Sequence, residues 1–116
     1  MSAPVVRVEA QEDGVRVLTM DKPPINALGR ELVEALLASL TKLTTDREAR
    51  CLVVRSAGSH FCAGADLKER RGMNLDQVRA FVPQLAAVCL AVAKLPIPTI
   101  AAVRGTAAGG GCELAL

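Results

Sequence analysis

TIAAVRGTAAGGGCELAL, residues 99–116, passes from an apolar, β-branched run through Gly105 and three consecutive glycines into Glu113 and a helix-favouring tail. The spacing predicts a buried strand over 99–103, a bare-backbone turn, and a helix beginning near Gly110. Consecutive glycines cost conformational entropy, and a fold keeps them where backbone must approach something closely or adopt dihedrals that other residues avoid. A strand, a loop and a helix in that order place the loop beyond the carboxyl end of the strand, where open α/β sheets bind their ligands.

Working back towards the N-terminus, residues 5–10 and 15–20 carry alternating valines around Gln11-Glu12-Asp13-Gly14, and Asp-Gly between β-branched runs is a hairpin signal. Pro23-Pro24 cannot donate to a helix or a ladder, so residues 25–28 form a loop. Over 29–43 the apolar residues Leu32, Val33, Leu36, Leu37, Leu40 and Leu43 recur at three and four positions, the stripe of an amphipathic helix. A short apolar run over 51–55 suits a buried strand, and a helix between two strands implies a crossover and a parallel pair.

Residues 67–71 suggest a short basic helical turn stopped by Gly72. Asn74 with Gln77 three residues on has the form of a capping box for a helix running to Lys94. That helix is expected to bury Val78, Phe81, Val82, Leu85, Val88, Cys89 and Val92, with Pro83 kinking it or delaying its start. The expected order is ββαβ(α)αβα, an α/β fold.

Hydrophobic residues make up 51% of the 116-residue chain and charged residues 22%, the balance of a folded single domain. Formal net charge is +2 and aromatics amount to 2%, only Phe61 and Phe81, so stacking platforms for nucleic acid are nearly absent. The four cysteines lack CxxC spacing, which predicts reduced core residues of an intracellular protein and no metal site. Prolines, glycines, Arg104 and Glu113 interrupt the apolar stretch 95–116, so no membrane span is expected there. The N-terminus lacks the apolar region of an export leader and the composition of a transit peptide.

Two loops share a composition of Ala, Gly and one acid: Ala63-Gly64-Ala65-Asp66 and the segment from Ala107 to Glu113. Small side chains bare their main-chain N–H groups, and two such groups converging on one point make an oxyanion hole suited to carbonyl chemistry. Each loop also has a simpler reading as a tight turn that allows close packing. Neither GxGxxG nor GxxxxGK[ST] is present, which argues against a phosphate cradle. Glu113 is either an acid favoured by the first turn of a helix or a catalytic group, and its apolar neighbours predict a low-dielectric setting. His60 reads as a loop histidine. The cluster Lys68-Glu69-Arg70-Arg71 reads as a solvated helix face that could also meet a phosphorylated ligand.

Three segments, DKPPINAL (21–28), FCAGADLKE (61–69) and PIPTIAAVRGTAAGGGCELAL (96–116), together resemble the enoyl-CoA hydratase/isomerase, or crotonase, family. In wording they look most like enoyl-CoA and methylglutaconyl-CoA hydratases. The resemblance implies a crotonase-like ββα spiral, of which residues 1–116 would be the N-terminal part of a single domain. It also implies a CoA thioester whose carbonyl lies between the amides of Ala65 and Gly110, with Gly109 letting the chain pass close, and Glu113 as the first of two catalytic glutamates. CoA would run over Ala63, Gly64, Ala65, Asp66 and Leu67 and over Ile25, Ala27 and Leu28, with Lys22 a candidate for its phosphates. No cofactor is implied beyond the coenzyme A of the substrate.

Partners implied are the acyl-CoA thioester and further copies of the chain, as a homo-trimer or dimer of trimers, with neither nucleic acid nor membrane. The expected setting is fatty acid metabolism in the cytoplasm, or in the mitochondrial matrix after processing. In the family the second glutamate lies about a helix and a loop beyond the first, so the 116 residues are expected to have little or no activity alone. Double-bond isomerisation and non-catalytic thioester binding are the competing readings.

Overall fold

The computed structural model describes residues 4–116. A four-stranded sheet in the order β1-β2-β3-β4 contains β1 (Val6–Ala10), β2 (Val15–Met20), β3 (Cys51–Ser56) and β4 (Thr99–Ala102). The helices are α1 (Arg30–Thr44), α2 (Leu67–Arg71), α3 (Leu75–Ala93) and α4 (Gly110–Ala115).

The β1–β2 pair is antiparallel, from Val6 opposite Met20 to Ala10 opposite Arg16. Its connection is a single 3-10 turn in which Asp13 and Gly14 take φ of 60° and 80°, the left-handed region that Asp and Gly enter most readily. The other two pairings are parallel: Val15–Met20 runs beside Cys51–Ser56, and Leu52–Arg55 runs beside Thr99–Ala102. The predicted hairpin and crossovers are therefore present.

Alternation along the strands explains where the core sits. Leu18, Met20, Leu52 and Val54 are buried, and α1 covers them with Leu32, Val33, Leu36, Leu40 and Leu43. Fully burying one such side chain contributes about 1.5–3 kcal/mol. Phe61 and Cys62 close this core from the loop after β3, both at 0% exposure. Leu37 from the predicted stripe is only half-buried.

Helix α3 lies against α1. Its capping box is complete, Asn74 Oδ1 accepting from the Gln77 N–H and Gln77 Oε1 from the Asn74 N–H, each at 2.9 Å. The helix runs unbroken through Pro83, contrary to the expected late start. Pro83 is exposed, so water can satisfy the carbonyl left without an amide donor.

Three expectations about burial need correction. Of the α3 residues predicted in the core only Phe81 and Val88 are buried; Val78, Leu85, Cys89 and Val92 are half-buried and Val82 is exposed. β4 was expected to be buried, but it is the edge strand with one neighbour, and Ile100 is 53% exposed. Cys112 is exposed, whereas Cys62 is buried and Cys51 and Cys89 are half-buried; all four are free thiols. By length and composition α3 could also cross a membrane, a property shared by helices that pack in protein cores, as α3 does through Phe81 and Val88.

Candidate active site

The loop after β3 is threaded between two other loops by main-chain bonds. On one side Leu28 N–H donates to Gly64 O at 2.7 Å, Asp66 N–H to Leu28 O at 3.3 Å, and Ala63 N–H to Ile25 O at 3.0 Å. On the other, Phe61 N–H donates to Arg104 O at 2.8 Å, Cys62 N–H to Thr106 O at 3.1 Å, and Ala108 N–H to Cys62 O at 3.1 Å. Leu28 pairs with Ala65 and Cys62 with Ala107 in parallel bridges, so the sheet continues past its strands as a short ladder of loops.

Glycine is required where those loops touch. A Cβ on Gly64, whose φ is +89°, would stand 2.8 Å from Ala108 O and 3.5 Å from the Gly110 nitrogen. One on Gly111 would collide with the Cys62 carbonyl. Residues 64–65 and 108–111 are thus held in contact, as the shared composition of the two loops anticipated. Neither the Ala65 nor the Gly110 N–H has an acceptor among the described residues. Both residues line a cleft of about 300 Å³ together with Leu28, Arg70, Leu85, Cys89, Glu113 and Leu114.

Glu113, in the first turn of α4, is the one carboxylate lining that cleft. Its side chain is exposed, so the low-dielectric setting expected from its neighbours is not met: Leu114 is buried, but Cys112 and Leu116 face solvent. Its charge is felt by Cys89, whose thiol is pushed up first by burial and then by the nearby Glu113 carboxylate.

A second groove, of about 410 Å³, opens on the other side of Ala65. It is lined by Lys22, Ile25, Ala27, Ala63, Asp66, Leu67 and Lys68, nearly the whole set that the resemblance assigns to CoA. Leu28 and Gly110 fall in the first cleft instead, while Gly64 and Gly109 act in the backbone junction behind both, with Gly109 at φ +53°. Ala65 alone borders both spaces. Lys22 Nζ is held at 2.7 Å by Glu31, and that carboxylate raises the ammonium's pKa. The Asp66 side chain caps α2 by accepting from Glu69 N–H at 3.1 Å, which fixes the loop's exit.

Asn26 was not singled out from the sequence, yet it is the hub of this construction. Buried at 3% exposure with φ of 51°, it donates to Ser56 Oγ at 2.7 Å and Phe61 O at 2.9 Å and accepts from Lys22 N–H at 2.8 Å. Its own carbonyl accepts from the Cys62 thiol at 3.1 Å. The usable signal was an Asn after Pro-Pro, a residue tolerant of positive φ with both donor and acceptor to offer. His60 plays a comparable part on the opposite side, Nδ1 accepting from Thr106 N–H at 3.0 Å; it clasps the turn at Gly105.

The sequence profile of the enoyl-CoA hydratase/isomerase family matches residues 10–116. The chain belongs to that family. Among curated members it is 44% identical to the mouse enoyl-CoA hydratase domain-containing protein 2, mitochondrial, over 97% of this chain and 40% of that protein. It is 41% identical to human methylglutaconyl-CoA hydratase, mitochondrial, over 97% of this chain and 34% of that one. Among solved structures, the enoyl-CoA hydratase of Mycobacterium smegmatis superposes with a TM-score of 0.92 at 35% identity, covering 97% of this chain and 44% of that one. That of Bacillus anthracis gives 0.90 at 38% identity, covering 96% and 44%. The fold is crotonase-like, and the chain spans 34–44% of the length of these proteins, matching their N-terminal part.

Proposed function

We propose that this chain holds a 2-enoyl-CoA thioester with its carbonyl oxygen between the Ala65 and Gly110 amides. In this reading Glu113 is one of two acid/base groups that add water across the α,β double bond. The observation that carries it is the pair of acceptor-free N–H groups on two loops locked together by Gly64 and Gly111. Addition of water to a conjugated thioester places negative charge on the carbonyl oxygen, and fixed donors aimed at that charge lower the barrier because they need not reorganise.

The two spaces beside Ala65 divide the substrate. A thioester carbonyl sends the acyl chain and the CoA arm in opposite directions, and the reacting double bond must lie on Glu113's side. The acyl group therefore occupies the cleft with Glu113, and CoA the groove with Lys22 and Lys68. Glu113 sits where the resemblance places the first glutamate of hydratases, which favours hydration over double-bond isomerisation. One carboxylate in the cleft supports binding with little turnover by the 116 residues themselves. Membership among hydratases named as mitochondrial supports a matrix setting as part of this reading, and their family supports CoA thioesters as ligands.

Calorimetric titration with crotonyl-CoA, run beside absorbance of the enoyl group, tests the proposal. Saturable binding is expected, with slow hydration that Glu113→Gln removes while leaving binding intact. Absence of binding by folded protein would overturn it, and so would slow hydration that survives Glu113→Gln.

A further inference from the structure

Residues 104–108 lead from β4 to Gly110 and run beside the loop after β3 as a ladder. Arg104 O accepts from Phe61 N–H at 2.8 Å, Thr106 O from Cys62 N–H at 3.1 Å, and Ala108 N–H donates to Cys62 O at 3.1 Å. One rung differs in kind: Thr106 N–H donates at 3.0 Å to the imidazole Nδ1 of His60. Of these rungs it is the one that a proton can remove.

The imidazole and the turn are seated on each other. Gly105 takes φ of +62°, and a Cβ there would collide with Ser59 O and His60 Nδ1, so the approach that brings Thr106 N–H to the ring requires glycine. Past the ladder, Gly109 turns at φ +53° and Gly111 N–H returns to Ala108 O at 2.9 Å. The Gly110 amide is thus aimed by the segment that His60 holds.

An imidazole nitrogen accepts only while it carries no proton. With Nδ1 as acceptor, the neutral ring keeps its hydrogen on Nε2, and a further proton goes to Nδ1, donor against the Thr106 donor. The rung is then lost and the Thr106 N–H is left without its acceptor. Imidazoles ordinarily take up that proton at about pH 6.5. The segments against the ring, 58–61 and 104–106, carry one charged group, Arg104, whose side chain is exposed; Asn26, which faces the His60 carbonyl, is uncharged. No ion pair among the described residues includes His60.

We propose that neutral His60 is a positioning residue for the Gly110 amide. Through Thr106 it holds the segment leading to Gly110, and its protonation releases that segment, so the thioester oxygen is gripped at neutral pH and loosened on acidification. This rests on the thioester reading above, because that reading makes Gly110 a donor to the carbonyl. His60 itself lines neither of the two spaces that divide the substrate.

Amide-resolved NMR of the 116-residue protein without ligand tests the link by itself. As the pH falls from about 7.5 to about 5.5, the Thr106 and Gly110 N–H resonances should move along the titration curve of the His60 ring. In His60→Asn the amide oxygen stands in for Nδ1 without titrating, so both resonances should stay still over that range. Calorimetry with crotonyl-CoA tests the consequence. Across the same range, binding by the unmodified protein should weaken about three- to tenfold more than binding by His60→Asn, the worth of one hydrogen bond. Ionisation of the CoA phosphates is common to both proteins and cancels. Thr106 and Gly110 amides that ignore the His60 titration in the unmodified protein would overturn the proposal, whether or not the variant folds, and so would equal weakening of the two proteins. Amides that follow His60 in a protein that binds no crotonyl-CoA at either pH would support the coupling and overturn the thioester reading alone.

Discussion

The face shared by β2, β3 and α1 and the end of the chain at β4 and α4 are built to different standards. In the first, Leu18, Met20, Leu32, Leu36, Leu40 and Leu52 are all at or below 1% exposure. In the second, Ile100 and Val103 are about half exposed, Leu116 is fully so, and a hollow of about 440 Å³ opens between α3, β4 and α4. Yet the second region carries Gly110 and Glu113. Stability and the proposed chemistry are thus separated: the packed face holds the fold, and the loop at Phe61–Asp66 carries that rigidity to the cleft, since it belongs to the core at one end and to the proposed oxyanion pair at the other.

If that division is correct, substitutions should rank by which side they strike. Phe61→Ala removes a fully buried ring at the junction and should cost about 3–5 kcal/mol in urea unfolding, with thioester binding lost in parallel. Asn26→Ala should follow at about 1–3 kcal/mol, because the Ser56 hydroxyl, the Phe61 carbonyl and the Lys22 amide lose a buried partner. A loss confined to binding, with stability unchanged, would contradict the hub role of Asn26.

A smaller effect should appear on raising the pH. Burial pushes the Cys62 thiol above its ordinary value of 9.0, and Cys89 moves the same way. A folded protein that keeps protons which the unfolded chain releases has its full stability below that value and loses it as pH rises through the folded pKa. The melting temperature should therefore fall above about pH 9, and Cys62→Ala should flatten that decline. Iodoacetamide at neutral pH should modify exposed Cys112 well before buried Cys62. The smallest change is expected for Ile100→Ala on the open edge, within about 0.5 kcal/mol; a loss as large as that of Phe61→Ala would erase the distinction between the two regions.

Much of this was legible in the residues. Periodicity marked α1, the Asp-Gly pair marked the hairpin, Asn74 and Gln77 marked the start of α3, and the twin Ala-Gly loops marked two segments that the fold brings into contact beside one cleft, because each signal is local. What escaped depends on neighbours distant in sequence. The exposure of β4 and of Val82 follows from which strands and helices cover them, and apolar composition is silent on that. Asn26 reads as an ordinary loop residue until Ser56 and Phe61 are brought to it. The capping role of Asp66 follows from how α2 turns after the loop, which the charge cluster at 68–71 did not reveal.

The central claim is that the Ala65 and Gly110 amides are the donors that meet the substrate carbonyl. Amide-resolved NMR of the 116-residue protein, titrated with crotonyl-CoA and with free CoA as control, tests it most directly. The thioester should shift the Ala65 and Gly110 N–H resonances together, along one saturation curve, with free CoA moving the groove beside Lys22 and Lys68 but not Gly110. Saturation by the thioester with both of those amides unmoved would contradict the account.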